Sequence, residues 1–383
     1  MADQHPPVLR WTEPPEGPAV VLLDQTRLPA EEVERVCPDV PALVTAVRAL
    51  AVRGAPLLGL AGAYGVALAA ARGDDVPAAA ERLAAARPTA VNLGLGVRRA
   101  AEAHRAALAG GSDASAAAAA ALAAARELHR EDAAASAAMA AHGGALLDEL
   151  APAGSLRLLT HCNTGVLVSG GEGTAFAVAR AVQRAGRLDR LWVDETRPLL
   201  QGARLTAWEA ARAGMRYSVL ADGAAGSLFA AGRVDAVLIG ADRIAADGSV
   251  ANKVGSYPLA VLARHHGVPF VVVAPTTTLD AGTADGAAIE IEQRPGREVT
   301  GIGWVPGAEG GPGREQERRG PHASAPAGAE VYNPAFDVTP PELVTALVTE
   351  RGVVTPVSRE GLAEWCSVSR SGESRSGNGM MNA

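Results

Sequence analysis

Apolar positions along this chain change rhythm near residue 155. Before it they recur at helical spacing. Asp39 to Ala51 carries that period, Pro56 to Ala71 reads as an apolar Gly/Ala-rich helix, and Arg98 to Leu150 predicts alanine-rich helices broken at Gly110-Gly111 and Gly143-Gly144. A short strand is expected at Ala19–Asp24, before the turn at Leu28-Pro29. From 155 onward, short β-rich runs alternate with amphipathic helical ones. Leu156–Thr160 is followed by Gly173–Ala185, Leu191–Val193 by Ala203–Ala213, and Tyr217–Leu220 by Ala225–Ala231. Ala236–Ile239 then precedes Pro258–His266, and Phe270–Ala274 ends the series. That alternation predicts an α/β fold with a doubly wound parallel sheet, whose strand-end loops line one edge. The expected division is a mostly helical domain over 1–150 with a short strand region, a sheet domain over 151–366, and a tail over 367–383. The Gly/Pro/charge-rich segment 301–330 predicts a flexible surface insertion, and the Ser/Gly/Arg tail predicts disorder.

Bulk composition narrows the function classes. A net charge of −7 and a pI of about 5.7 give the molecule no general attraction to nucleic acid or anionic membrane, so neither is expected as a partner. The longest unbroken apolar run, Ala116 to Ala125, is too short to span a bilayer. The N-terminus lacks the basic and apolar regions of a signal peptide. Cys37, Cys162 and Cys366 lie far apart, without metal-ligand or disulfide spacing. The expectation is a cytoplasmic protein with no metal and no cofactor.

Against that background one residue stands out. The chain has a single lysine, Lys253, although Lys and Arg together number 35. It is either a solvated remnant of composition or a place where a compact ammonium serves and a planar guanidinium does not. It closes the run VLIGADRIAADGSVANK, in which an apolar strand meets Asp242 and then a polar loop. Asp242 either caps a turn or pairs with Arg243, or it sits desolvated at the sheet edge, where it would hold a proton near neutral pH. The run THCNTGVLVSGGEGTA (Thr160–Ala175) carries Cys162 off a strand end between His161 and Asn163. Alone, such a cysteine reads equally as a small buried hydrophobe. Its glycines, feeding a helix start near Thr174, would suit an anion but do not have dinucleotide-fingerprint spacing. DETRPLLQGARLTAWE (Asp194–Glu209) offers Glu195, Arg197 and Gln201, with Gln201 expected to point into a cleft. In VRGAPLLG, Arg53 precedes a turn into a helix, a geometry suited to phosphate, and RPTAVN adds Arg87.

Six ordered runs, RGAP, RPTAVNL, THCNTG, DETRPLLQGARLTAWE, GADRIAADGSVANKVGSYPLAVLARHHGVPF and YNPAFDVTP, together resemble the methylthioribose-1-phosphate isomerases. That family shares a superfamily with the regulatory subunits of eukaryotic initiation factor 2B. The resemblance runs from about Arg10 to about Val354. It implies a helical N-terminal domain, a Rossmann-like catalytic domain and a homodimer. It also implies an aldose–ketose isomerase acting on a sugar phosphate in methionine salvage. Carried over residue by residue, it makes Cys162 and Asp242 catalytic. Arg53, Gly54, Ala55, Arg87, Gln201, Asn252 and Lys253 become substrate-binding. The chain departs from the family at Leu95-Gly96, where Trp-Ala is common. Isomerases of 5-deoxyribose 1-phosphate or ribose 1,5-bisphosphate are the neighbouring alternatives. A non-enzymatic regulatory subunit of the initiation-factor kind is the alternative from another class.

Overall fold

The structure, a computed structural model, describes residues 7–13, 15–87, 90–152, 154–302 and 322–363. Most of the expected insertion and the whole of the expected tail, with Cys366, lie outside the described residues.

Three short strands open the fold as an antiparallel sheet in chain order: β1 (Leu9–Thr12), β2 (Ala19–Leu23) and β3 (Glu34–Cys37). Five helices follow: α1 (Val40–Arg48), α2 (Ala55–Arg72), α3 (Val76–Ala84), α4 (Val91–Ala109) and α5 (Ala114–Leu150). Three of them start where an aspartate supplies the first free backbone amides with an acceptor. Asp39, Asp75 and Asp113 accept from Ala42, Ala78 and Ala116 N–H at 2.8, 3.0 and 2.8 Å. Helix α2 has the length and apolarity of a membrane span. Every residue from Leu57 to Ala69 is buried, however, and the helix forms the middle of the N-terminal core.

Small residues let α2 and α4 touch along their backbones. A Cβ on Gly96 would stand 1.9 Å from the Gly59 carbonyl oxygen. The expected break at Gly110-Gly111 separates α4 from α5. The break expected at Gly143-Gly144 does not occur, and α5 runs unbroken to Leu150. Those glycines serve packing: a Cβ on Gly143 would fall 2.4 Å from Val178 Cγ2 of the next helix.

The alternating region builds a seven-stranded sheet. Its members are β4 (Leu156–Thr160), α6 (Ala175–Arg184), β5 (Leu188–Asp194), α7 (Ala207–Arg212), β6 (Tyr217–Leu220), α8 (Ala225–Ala230) and β7 (Ala236–Ile239). A hairpin, β8 (Arg243–Ala245) and β9 (Val250–Lys253), precedes α9 (Ser256–His266) and β10 (Phe270–Val273). The chain continues through β11 (Leu279–Asp280) and α10 (Arg297–Thr300). The short pair β12 (Gly301–Ile302) and β13 (His322–Ala323) comes next, then β14 (Phe336–Thr339), β15 (Ala346–Thr349) and β16 (Gly352–Val354).

The order is β16-β15-β10-β7-β4-β5-β6, parallel except for the antiparallel edge strand β16. Fully apolar strands such as β7 and β10 occupy its centre, because both faces are covered. One face packs on α6 and the second half of α5, the other on α8 and α9. The polar loop expected between Asp242 and Lys253 is instead the β8–β9 hairpin, extended to a four-stranded sheet by β11 and β14. In the turn the Asp247 carboxylate accepts from the Ser249 amide at 2.8 Å and hydroxyl at 2.9 Å, and Val250, Ala251, Asn252 and Lys253 are all buried.

Gly96→Ala should keep the fold but force α2 and α4 apart. Overpacking of this kind costs about 1–3 kcal/mol, and a melting temperature lowered by several degrees in calorimetry is the expected outcome. An unchanged melting temperature would mean the contact is slack.

Candidate active site

Strands β4, β5 and β7 end at the same edge of the sheet, and the loops leaving them meet the start of α2. One pocket there is lined by Arg53, Gly54, Ala55, Arg87, Cys162, Gln201, Asp242, Asn252 and Lys253. All nine residues singled out in the sequence therefore share one cavity. Glu195 and Arg197 do not line it; Arg197 turns away to donate to the Val299 carbonyl at 2.8 Å. The glycine-rich loop is not the anion cradle it resembled. The Gly170 amide donates to Asp132 at 2.6 Å and the Gly171 amide to Ser169 Oγ at 3.0 Å, so both are already satisfied.

Cys162 leaves β4 with φ +64°, a left-handed conformation that non-glycine residues avoid. Its amide donates to Thr196 Oγ1 at 2.8 Å, and Thr206 Oγ1 donates to its carbonyl at 2.6 Å. Just before it, His161 is fully buried, with Nδ1 3.0 Å from Asp194 Oδ2 and Nε2 2.9 Å from the Val254 carbonyl. Burial works against its charge, but the Asp194 bond and charge, with Asp222 and the Val254 carbonyl, carry its pKa upward overall. His161, Asp194 and Asp222 lie close enough to suggest a metal site. Both ring nitrogens of His161 are taken, however, and both Asp222 oxygens accept backbone amides, from Thr196 and Arg197, at 2.7 Å. The cluster is a clamp across β4, β5 and the end of β9.

Arg53 reaches over the Cys162 loop. Its Nη1 donates to Asn163 Oδ1 at 3.0 Å, and its Nη2 lies 3.8 Å from Cys162 Sγ. Gly54, at φ +92°, lets the chain turn into α2 where a Cβ would strike Val168. No side chain caps that helix start, and its first residues Gly54 and Ala55 line the pocket, where the positive end of the helix dipole favours an anion.

Lys253 is the last residue of β9 and only 8% exposed. Its Nζ donates to the Ala335 carbonyl at 2.6 Å and lies 4.5 Å from the centre of the Phe336 ring. Burial lowers its pKa, while Cys162 and Asp242 oppose that shift. Burial likewise raises the pKa of Asp242, against Lys253, Arg87 and Arg53. Asp242 does not pair with Arg243, which faces Asp280 instead at 3.7 Å. Gln201 is buried on the pocket wall with its Oε1 unpartnered. Arg87 pairs with Glu292 at 3.3 Å, and Asn252 donates to Ser256 Oγ at 2.8 Å.

Several residues of the site were not predicted. Arg294 lines the pocket, held by Glu298 at 3.0 Å and Glu292 at 2.8 Å. Arg204, half-buried in a small cleft with Arg53 and Gln201, has no carboxylate partner among the described residues. It donates to the Leu199, Gln25 and Leu28 carbonyls, and burial, reinforced by Arg53, lowers its pKa to about 10. Glu209 lies under the Cys162 loop. The available signal was a lone carboxylate inside the apolar run LTAWEAA, at a position that helix periodicity turns inward.

Residues 51–356 match the Initiation factor 2 subunit family, and the chain belongs to that family. Its curated relatives narrow the class further. It is 47% identical to a methylthioribose-1-phosphate isomerase of Thioalkalivibrio sulfidiphilus, over 88% of this chain and 92% of that one. It is 49% identical to one of Klebsiella pneumoniae, over 88% and 91%. The crystal structure of 5-methylthioribose 1-phosphate isomerase from Pyrococcus horikoshii superposes with a TM-score of 0.81 at 34% identity, covering 96% of this chain and all of that one. A structure from A. fulgidus described as translation initiation factor eIF-2B subunit delta superposes at 0.73 with 38% identity, over 91% and 95%. Within the family, the chain stands with the methylthioribose-1-phosphate isomerases.

Proposed function

We propose that this protein converts 5-methylthioribose 1-phosphate to 5-methylthioribulose 1-phosphate, with Cys162 and Asp242 as its catalytic residues. The observation that carries the reading is a thiol and a carboxyl group with a raised pKa in one pocket with Arg53, Arg87 and Lys253. In this substrate carbon 1 is locked as a glycosyl phosphate, so the ring cannot open to a free aldehyde. Breaking the bond from carbon 1 to the ring oxygen needs an acid, and a carboxyl whose pKa is raised by burial suits that need. Hydrogen then moves from carbon 2 to carbon 1. Either the Cys162 thiolate takes the proton to give an enol phosphate, or a hydride shifts directly while Cys162 stabilises the developing cation. The phosphate is met by Arg53, Arg87, Lys253 and the open start of α2, and Gln201 and Asn252 offer amides to the sugar.

Leu50, Val168, Leu199, Pro275 and Phe336 supply apolar wall for the substituent on carbon 5. Ribose 1,5-bisphosphate would need a second basic cluster. The further cation of the pocket, Arg294, is already engaged by Glu298 and Glu292. A regulatory subunit has no use for an acid and a thiol facing one cavity. The reading includes a cytoplasmic homodimer. The exposed Tyr257 and Val261, one turn apart on α9, are a candidate contact surface.

Turnover on the three sugar phosphates tests the assignment. The methylthio compound should exceed the 5-deoxy compound by roughly ten- to two-hundredfold in kcat/KM, the range that such differences in apolar contact support. Higher efficiency on either rival would replace the substrate. Cys162→Ala should fold normally and lose about a thousandfold or more of kcat. Deuterium retained from carbon 2 in the product would select the hydride route, and washout the enol route. Asp242→Asn should lower kcat with little change in KM, because the amide fills the space without an acidic proton. As the acid must be protonated, parent kcat should fall as pH rises through the raised pKa of Asp242. Lys253→Arg should reduce kcat/KM by roughly ten- to a hundredfold, the worth of one charge-assisted hydrogen bond to the anion. Parent-like efficiency in that variant would remove Lys253 from the site.

A further inference from the structure

Glu209 touches none of the reacting groups, yet the Cys162 loop is built on it. It lies in α7 with 4% of its surface exposed. Oε1 accepts from Asn163 Nδ2 at 2.8 Å and from the Leu167 amide at 3.4 Å, and Oε2 accepts from the Val166 amide at 2.8 Å. A Cβ on Gly165 would stand 1.7 Å from Oε2, so the loop lies directly against the carboxylate.

Asn163 passes the contact on. Its Oδ1 accepts from Arg53 Nη1 at 3.0 Å, its carbonyl from Arg53 Nη2 at 3.4 Å, and Nη2 is the atom 3.8 Å from Cys162 Sγ. The row is carboxylate, carboxamide, guanidinium, thiol. Each member fixes the orientation of the next, because Glu209 accepts and Arg53 donates, so the Asn163 carboxamide fits only one way round. A proton on Glu209, or an amide in its place, sets a donor against Asn163 Nδ2 or the Val166 amide, and one bond must break. If the carboxamide flips in response, its amino group faces the Arg53 guanidinium, donor against donor.

We infer that Glu209 is a positioning residue which, through Asn163, holds Arg53 against Cys162, and that its ionised form is the working one. Burial pushes its pKa up to about 7, against the pull of Asn163, the Val166 and Leu167 amides and Arg53. The other charged groups facing it are Arg180, Arg212 and Glu172, which line the cavity on its outer side. The working form is therefore lost as pH falls through about 7. The kinetic part of this inference rests on the isomerase reading; the geometric part does not.

The test is kcat against pH from 5.5 to 9 for the parent and for Glu209→Gln, together with alkylation of Cys162 by iodoacetamide, followed on its own peptide by mass spectrometry. The ratio of parent kcat to Glu209→Gln kcat should fall about tenfold between pH 8 and pH 6, as Glu209 takes up one proton while the Asp242 limb is common to both. Glu209→Gln should be at least about tenfold slower than the parent at pH 8 and show no acid limb. At pH 8 its Cys162 should also alkylate several-fold more slowly, because Arg53 has moved off the thiol. A folded Glu209→Gln that keeps parent-like alkylation overturns the inference whatever the substrate, whereas a parent inactive on all three sugar phosphates overturns the functional reading alone. If Glu209→Gln does not fold, carboxyl-carbon NMR of the parent decides. A buried glutamate titrating near pH 7 in step with the rate of Cys162 alkylation supports the inference, and an alkylation rate indifferent to that titration sinks it.

Discussion

The site depends on a central strand ending in a left-handed residue that is not glycine. Cys162 at φ +64° is joined in that conformation by Leu50, Thr196 and Leu200, and these four are the described non-glycine residues with positive φ. Leu50 and Cys162 line the pocket, Thr196 holds the Cys162 amide, and Leu200 precedes Gln201. Strain of this kind costs roughly 1–3 kcal/mol per residue and persists only where the surroundings over-determine it. Here Asp222 ties down the Thr196 and Arg197 amides, Thr206 and Thr196 bracket Cys162, and Glu209 fixes the loop that follows. Gly202 closes the arrangement, since a Cβ there would stand 1.7 Å from the Asp194 carbonyl oxygen. The result is a thiol that faces the cavity instead of the adjacent helix.

That scaffold buries charge unevenly. Lys253 and Arg204 are desolvated without a carboxylate at ion-pair distance among the described residues, and Arg53 repels Arg204. Such cations cost the unliganded fold free energy that a bound dianion offsets, so ligand binding and stability are linked. Glu209 shows the same conflict with opposite sign. Its folded pKa of about 7 lies above the ordinary 4.5, so ionising it costs the fold on the order of 3 kcal/mol. That stability is fully present below pH 4.5 and is lost as pH rises through 7. The condition that suits the Cys162 loop is thus not the one that suits the fold best, a trade expected where function sets the geometry.

How much of this the sequence disclosed follows from range. Alternation of β-rich and helical runs located the parallel sheet, and strand-end position alone was enough to send Cys162, Asp242 and Gln201 to one edge. Cys162, Asp242 and Gln201 follow strands, Gly54 and Ala55 stand at the start of α2, and Asn252 and Lys253 end β9, so the topology brings these seven to one edge. The β8–β9 hairpin was missed because its polar turn, Ala246-Asp247-Gly248, dominated a strand pair only three and four residues long. Gly143-Gly144 read as a break because the residue that needs them, Val178, lies on another helix. Glu209 left a local trace, a carboxylate on an inward helix position, but its partner Asn163 stands 46 residues away and the trace alone does not name it. Arg294, paired with Glu292 and Glu298 close by in sequence, read as part of an ordinary charged loop.

The architecture itself does not separate catalysis from regulation. It superposes on structures described both as the isomerase and as an initiation-factor subunit, at comparable identity, so the weight falls on the pocket. Its least expected member there is the lone lysine. Lys253 is no solvated remnant. It ends a buried strand paired with β14, and its ammonium stands over the Phe336 ring, donates to the Ala335 carbonyl and lines the cavity. A guanidinium at the end of that strand would have to place a wider, planar group between the Phe336 ring and the Ala335 carbonyl. Burial also lowers the pKa of an ammonium far more readily than that of a guanidinium, so a lysine there can be tuned by Asp242 and Cys162 as an arginine cannot. In a chain that otherwise uses arginine, lysine thus stands where a compact ammonium fits and a wider planar group does not.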